Sequence, residues 1–225
     1  MRLILFSWLD HEFVGLSAEA EAGLGAAEGL RALLGRVDAA LAGQGLSLAN
    51  TVRTRLFGRD RAGREQAAAA RRERLGGEAR SVSSSFVAPA RLESSAAVGL
   101  ELLAMRPSGG AAKTLREYDP SRAPLRYLSY DSLLFLSGVT SERPTLEQQV
   151  AEIVAEIGES LAQAGATWER VALTSCFLRR DQDHATLRRL LREAVPGLSS
   201  PLECELVDGF AGEEGLLEIE VTAAL

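Results

Sequence analysis

The sequence contains few of the residues that build covalent or metal-centred chemistry. Its 225 residues include only two cysteines, Cys176 and Cys204, and two histidines, His11 and His184. The cysteines have neither CxxC nor zinc-ligand spacing, which argues against a disulfide framework and a structural metal. We expect both cysteines to pack as small hydrophobic residues. Neither histidine has a nucleophile or a metal-binding partner nearby in the sequence, so we expect packed or exposed side chains there.

Long apolar runs are also missing. None approaches the roughly 18 to 20 residues that a membrane helix needs. The N-terminal stretch MRLILFSWLDHEF is apolar only briefly, because Asp10, His11 and Glu12 interrupt it before any small-residue cleavage site. We therefore interpret it as a first strand and expect a cytoplasmic protein that does not contact a membrane.

Lysine is nearly absent, and arginine is the general cation of this chain. Lys113 is the single lysine, and the formal net charge is −6. This balance argues against a duplex nucleic-acid binder, which normally presents a basic face. Residues 53–80 hold nine arginines against four acidic residues. We interpret this local excess as the solvated face of a helix.

The chain repeats its pattern at an offset of 120 residues, and its length suffices for two domains with separate cores. The stretch FVGLSAE (13–19) falls on LLFLSGV (133–139), and TVRTRLFGR (51–59) falls on VALTSCFLR (171–179). The apolar positions of an intervening amphipathic helix also coincide, with Leu30, Leu33, Leu34, Val37 and Leu41 falling on Val150, Ile153, Val154, Ile157 and Leu161.

Each copy predicts strand, strand, long helix, strand, second helix, strand, strand. In the second copy Thr145 and Gln148 form a capping-box pattern at the start of the long helix, and the second helix begins near Asp183. In the first copy the second helix, EQAAAARRERLG (65–76), offers little to bury, so we expect it to pack lightly. Gly45 and Gly165 follow the two long helices, where a left-handed cap favours glycine.

The predicted fold class is α+β, with two tandem units, each a mixed β-sheet covered on one face by two helices. We place the first unit at residues 1–106 and the second at 124–225. The intervening residues 107–123 are rich in Pro, Gly and Ser, which is typical of a linker.

One apolar run ends unusually. The strand-like LLFLSGV (133–139) stops on Ser137 and Gly138. A small hydroxyl residue followed by glycine suits a backbone that a ligand approaches closely. The alternative is a strand that simply turns there.

The second copy resembles the RidA (YjgF) family of reactive-intermediate deaminases. The resemblance spans about residues 124–225 and rests on LFLSGV (134–139), the Q…AG pattern of the long helix and the EIE of LLEIEVT (216–222). The first copy resembles a degenerate member. The resemblance implies chorismate-mutase-like units, a homotrimer, no metal or organic cofactor, and hydrolysis of 2-imino or enamine acids to 2-keto acids and ammonia.

The residue types of the family suit this chemistry. The carboxylate of a 2-imino acid is best held by an arginine fork. Its electrophilic carbon can be attacked by water with help from a carboxylate. The resemblance implies an arginine just before the penultimate strand, a glutamate at the start of the EIE triplet, and a ligand seated by the backbone that follows the serine of SG.

In the second copy only part of this set is present. Glu218 matches the glutamate, and Ser137-Gly138 matches SG. Ser199, followed by Ser200, stands where the family has arginine. The alternative interpretations are a solvated strand face for Glu218, shared with Glu220, and an ordinary polar loop for the two serines.

The first copy has the complementary part. Arg80 occupies the arginine position, although it could equally be a surface cation. At an offset of 119 Arg80 pairs with Ser199 and Gly99 pairs with Glu218. A second register aligns Glu101 with Glu218 instead, and the sequence leaves both open.

Two functional hypotheses follow. The first is a tandem RidA-like imine or enamine deaminase, or a divergent relative that acts on a small carboxylate metabolite, with Arg80 and Glu218 contributed by unlike copies. The second is a non-catalytic RidA-like scaffold or metabolite-binding module, because neither copy carries the full set. Whole chains with two units each close most simply as a homotrimer of six units. The acidic charge makes a nucleic-acid substrate an unlikely alternative.

Overall fold

The computed structural model describes residues 1–108, 112–121 and 123–225. The chain divides into two compact units, Met1–Thr114 and Leu115–Leu225, and each has its own hydrophobic core. The division falls within the predicted linker 107–123, of which residues 109–111 and 122 lie outside the described residues. The predicted α+β class, with two similar units that each cover one face of a mixed sheet with two helices, is confirmed.

The first unit contains five strands and two helices. In chain order they are β1 (Arg2–Trp8), β2 (His11–Glu19), α1 (Ala26–Ala42), β3 (Thr51–Gly58), α2 (Arg61–Arg74), β4 (Val82–Val87) and β5 (Val98–Met105). The strand order in the sheet is β1-β2-β5-β3-β4. The pair β3–β4 is parallel, as the crossover through α2 requires, and the other pairs are antiparallel.

The second sheet repeats this plan with additional short strands. Its elements are β6 (Thr114–Arg116), β7 (Tyr127–Tyr130), β8 (Leu133–Leu136), β9 (Val139–Thr140), α3 (Leu146–Gln163), β10 (Val171–Arg179), α4 (His184–Ala194), β11 (Leu202–Val207) and β12 (Leu217–Ala224). The strand order is β11-β10-β12-β8-β7-β6, and β9 also pairs with β12. The pair β10–β11 is parallel, as β3–β4 is in the first sheet.

The apolar positions predicted for the two long helices, α1 and α3, pack into the cores of the two units. The five predicted apolar positions of α1 are all buried, and those of α3 are buried except for the partly buried Val154. Thr145 accepts a hydrogen bond from the Gln148 amide at 3.3 Å, and Asp183 accepts one from the Thr186 amide at 2.7 Å. These contacts confirm the predicted starts of both helices in the second unit.

Helix α2 packs more closely than its sequence indicates. Ala67 and Ala70 are fully buried, and the Nη1 of the buried Arg71 donates to the Ser84 carbonyl at 2.6 Å. A Cβ added at Gly58, at the end of β3, would lie 2.8 Å from Cα of Arg64. The expectation of light packing is therefore wrong, because small side chains let the helix approach the sheet.

The arginine-rich stretch 53–80 is not a uniformly solvated helix face. Arg53, Arg64 and Arg71 are all buried. Arg53 lies on a strand, and Arg64 of α2 donates to the hydroxyl of Ser85 at 3.0 Å. The solvated interpretation is wrong for these three residues, and Arg64 and Arg71 instead fasten α2 to the sheet.

In the described part of the chain no helix combines the length and the apolar character needed to cross a bilayer.

Candidate functional site

The strand pairing of the second unit is interrupted at Ser137 and Gly138. Phe135 lies opposite Thr222, whereas Val139 lies opposite Ile219. The segment 135–139 thus advances by four residues while β12 advances by three. One residue is extra, which is the definition of a β-bulge, and bulges are common beside functional sites.

The first unit has no such interruption. There β2 and β5 pair without a break, with Ser17 opposite Glu101 and Ala18 opposite Leu100. Ser17 is exposed, whereas its counterpart Ser137 is completely buried. The replacement of glycine by Ala18 thus coincides with a regular ladder, and the bulge belongs to the second unit.

Glu218 lies next to this bulge and is buried. It is opposite Phe177 on β10 and opposite Thr140, two residues after Gly138. Its side chain is 5% exposed, and that of Glu220 on the same strand face is 1% exposed. The alternative of a solvated face is therefore wrong for both carboxylates.

Two further carboxylates lie on this sheet face, which is the one opposite the helices. Glu205 of β11 flanks Phe177, and the exposed Glu203 flanks Ser175, which donates to it at 3.5 Å. Lateral neighbours in a sheet point to the same side. Four glutamates therefore surround Phe177 and Ser175, which makes this part of the sheet face acidic.

The strand register settles which residue of the first unit corresponds to Glu218. Gly99 is opposite Phe57, and Glu218 is opposite Phe177. The two phenylalanines coincide in the repeat, so Gly99 is the counterpart. The register that aligned Glu101 with Glu218 is wrong.

Glu101 instead belongs to an ion-pair network of the first unit. It accepts from Arg91, and Arg55 Nη1 lies 3.6 Å from it. The Arg91 guanidinium also stacks 4.8 Å from the centroid of Phe57. The carboxylate is thus engaged by two cations, and the first unit lacks an acid at the position of Glu218.

Ser199 and Ser200 lie where the chain enters β11. Ser199 is exposed. The hydroxyl of Ser200 is hydrogen-bonded to that of Thr174 at 3.1 Å, and the Thr174 amide donates to the Pro201 carbonyl at 3.1 Å. These contacts anchor the loop to β10, but the loop presents no positive charge at Ser199.

Within one unit this loop and the glutamate lie at different positions along β10. The Ser200 hydroxyl lies at Thr174, whereas Glu218 pairs with Phe177, three residues farther along the strand. At about 3.3 Å per residue, Thr174 and Phe177 are separated by roughly 10 Å.

Arg80 lies in the first unit, two residues before β4, and is half-buried. Its amide donates to the Gly77 carbonyl at 3.1 Å. Its own carbonyl accepts from Lys113 Nζ at 3.2 Å, and the same ammonium donates to the Thr51 carbonyl at 3.0 Å. Burial lowers the pKa of Lys113 to about 8, while Glu78 opposes this shift.

The predicted residues thus fall into three groups. The structure brings Glu218 together with Ser137-Gly138, places Ser199 and Ser200 where the chain enters β11, and places Arg80 in the first unit. Lys113, whose ammonium donates to the Arg80 carbonyl, is an additional residue that was not predicted to lie beside Arg80. Its being the only lysine of the chain is the signal that could have singled it out.

Comparisons with known proteins extend the description of the fold. No protein-family model and no curated protein matches the sequence. A crystal structure of chorismatase is 17% identical, with a TM-score of 0.65 over 95% of this chain and 75% of that one. A YjgF-family protein from Mycobacterium tuberculosis is 19% identical, with a TM-score of 0.45, and covers 51% of this chain and 100% of its own.

A Rid-family protein from Yersinia pestis is 20% identical, with a TM-score of 0.47, and covers the same shares, 51% and 100%. The YjgF and Rid structures each match about half of the chain, whereas chorismatase matches nearly all of it. Over nearly its whole length the chain is thus similar in fold to chorismatase.

Proposed function

We propose that this protein hydrolyses 2-imino or enamine acids to 2-keto acids and ammonia. The observation that carries the proposal is the burial of Glu218 beside the Ser137-Gly138 bulge. A positioned carboxylate can accept the proton of a water molecule that attacks the carbon of a C=N bond. The likeness to Rid-family structures supports this reaction class only through the fold.

Glu218 acts as the general base in this proposal, and the bulge seats the substrate. Attack of water on the imine carbon forms a carbinolamine, from which ammonia leaves after the nitrogen has gained a proton. Glu218 takes one proton from the attacking water and passes it to the nitrogen; when the carbinolamine collapses, Glu218 takes the hydroxyl proton and passes it to the nitrogen in the same way, so that the C=O bond forms as the C–N bond breaks and ammonia leaves. The role requires a carboxylate that can both accept and donate, which an amide cannot do.

Arg80 holds the carboxylate of the substrate. A guanidinium can bind a carboxylate through two parallel hydrogen bonds. The counterpart position Ser199 carries no charge, and the acidic sheet face around Glu218 repels an anion unless a cation compensates it. We therefore retain Arg80 as the proposed clamp and the homotrimer as the proposed assembly.

The test measures ammonia release from 2-iminobutyrate generated in the assay by an amino-acid oxidase. We expect Glu218→Gln to lower kcat by about 10²-fold or more, the usual contribution of a general base. Arg80→Gln should mainly raise KM. Glu203→Gln is the matched control, because Glu203 lies on the same sheet face but is exposed. Equal loss of activity in the Glu203 and Glu218 variants would exclude a specific role for Glu218.

A non-catalytic metabolite-binding module is the second candidate. It is favoured by the division of the set, since Ser199 and Gly99 replace the arginine in one unit and the glutamate in the other. In that case the protein would bind a small 2-keto acid such as 2-ketobutyrate, detected by calorimetry, without accelerating imine hydrolysis. A measurable rate enhancement that depends on Glu218 would rule it out.

A further inference from the structure

The only two cysteines of the chain are lateral neighbours in the second sheet. Cys176 of β10 and Cys204 of β11 are partners in the parallel ladder. Both are free and face the helix-covered core, where Cys176 is buried and Cys204 is half-buried. Their packing as small hydrophobic residues agrees with the expectation from the sequence. Their adjacency was not expected, because 27 residues lie between them in the chain.

The spacing of the two strands suits a disulfide. Neighbouring strands lie about 4.8 Å apart, and the Cα atoms of disulfide-bonded cysteines lie roughly 4.4 to 6.8 Å apart. The Cβ atoms must come to within about 3.8 Å, which requires an approach of roughly 1 Å. Strand β11 is the terminal strand of the described sheet, so it can shift towards β10 without breaking a second ladder.

The surroundings keep both groups as thiols while leaving one of them accessible. Burial raises the pKa of Cys176 and of Cys204 above the ordinary value. The positive charge of Arg188, on α4, acts on both and lowers each pKa in part. The half-buried Cys204 has the easier access to solvent, so it is the sulfur that an oxidant reaches first.

We propose that Cys176 and Cys204 are a redox-active dithiol that a hydroperoxide closes to a disulfide. Cys204 gives up its thiol proton as its sulfur attacks one peroxide oxygen; the O–O bond breaks, the sulfur becomes a sulfenic acid, and the displaced oxygen leaves with that proton as water. The Cys176 thiol then attacks the Cys204 sulfur and releases a second water. Two thiols and one peroxide thus become one disulfide and two waters, with two electrons passing from the sulfurs to the peroxide.

The bond would close a loop that contains α4, Ser199 and Ser200. Strands β10 and β11 would then be joined covalently at the middle of their ladder, near the hydrogen bond between Thr174 and Ser200. In the oxidised protein the two ends of this loop would therefore be held closer together than in the reduced protein. The proposal stands independently of the reaction proposed for Glu218, because it needs only the two thiols and an oxidant.

The test oxidises the full native chain with hydrogen peroxide, blocks the remaining thiols with iodoacetamide in denaturant, and measures the intact mass. We expect a monomer-sized product that has lost two hydrogens and gained no alkyl group, and dithiothreitol should restore two alkylatable thiols.

Cys204→Ser is the matched variant. Its remaining Cys176 is buried without its partner, so it should stay reduced and take up one alkyl group after denaturation. Two results would overturn the proposal: a native chain that keeps both thiols, and a disulfide found only between chains. Both are read on the unaltered protein, so they hold even if the variant folds poorly.

Discussion

Gln149 links the start of α3 to the segment that leads into β12, and we expect its replacement to destabilise the second unit. Its side chain is completely buried. Nε2 donates to the carbonyls of Arg143 and Glu214 at 2.7 and 2.8 Å, and Oε1 accepts from the Leu216 amide at 2.8 Å. Glu218 follows two residues later, so this amide also fixes the approach of the chain to the candidate base.

The Gln149→Leu variant keeps a similar volume but removes all three hydrogen bonds. A hydrogen bond contributes about 1 kcal/mol net, and a buried polar group left without its partner costs about 1–3 kcal/mol. The gain from burying an apolar side chain offsets part of this loss. We expect the free energy of unfolding to fall by about 3 kcal/mol.

The assay is urea unfolding followed by far-ultraviolet circular dichroism, with the change read from the midpoint at an unchanged slope. The two units can unfold separately, in which case only one transition should move. Gln148→Leu is the matched control. Gln148 is the exposed neighbour of Gln149, so this variant should change the free energy of unfolding by no more than about 0.5 kcal/mol. A loss below about 1 kcal/mol in Gln149→Leu, or equal losses in both variants, would refute the hydrogen-bond argument.

Two further predictions concern the first unit. Gly58→Ala should lower the free energy of unfolding in urea by more than about 2 kcal/mol, because the new Cβ would meet the backbone of Arg64. Gly35→Ala, in open space on α1, should instead raise it by about 0.5–1 kcal/mol. Similar effects at both glycines would contradict the close packing of α2. Lys113 has a folded pKa of about 8, below its ordinary 10.5, so the unfolded chain binds more protons between these values and stability should rise as pH increases from 8 to 10.5. Lys113→Met should lack this rise. The same pH dependence of the free energy of unfolding in the variant and the unaltered protein would contradict the prediction.

The sequence predicts most of the fold because its signals are local. The apolar stripes of α1 and α3 follow helical spacing, and Thr145 and Asp183 are N-cap residue types that directly precede α3 and α4. The repeat then identifies the two units without reference to packing. Helix α2 is less predictable, because Ala67 and Ala70 give a weak apolar signal and their burial depends on the close approach permitted at Gly58.

The candidate site is less predictable because its features arise between distant segments. Alternation along β12 indicates that Glu218 and Glu220 share a face, but it cannot show whether that face is covered. The bulge depends on how Ser137-Gly138 pairs with a strand about 80 residues later, although the contrast between SG and SA in the repeat hinted at it. The burial of Gln149 likewise depends on backbone acceptors and donors that its own helix does not contain.

The most direct test of the proposed reaction is the partition of 2-iminobutyrate between hydrolysis and capture by semicarbazide. The unaltered protein should divert the imine from the semicarbazone to 2-ketobutyrate in proportion to its concentration, and Glu218→Gln should leave the partition as it is in buffer. A partition that the unaltered protein does not change, at concentrations where it is folded, would contradict the proposed deaminase function.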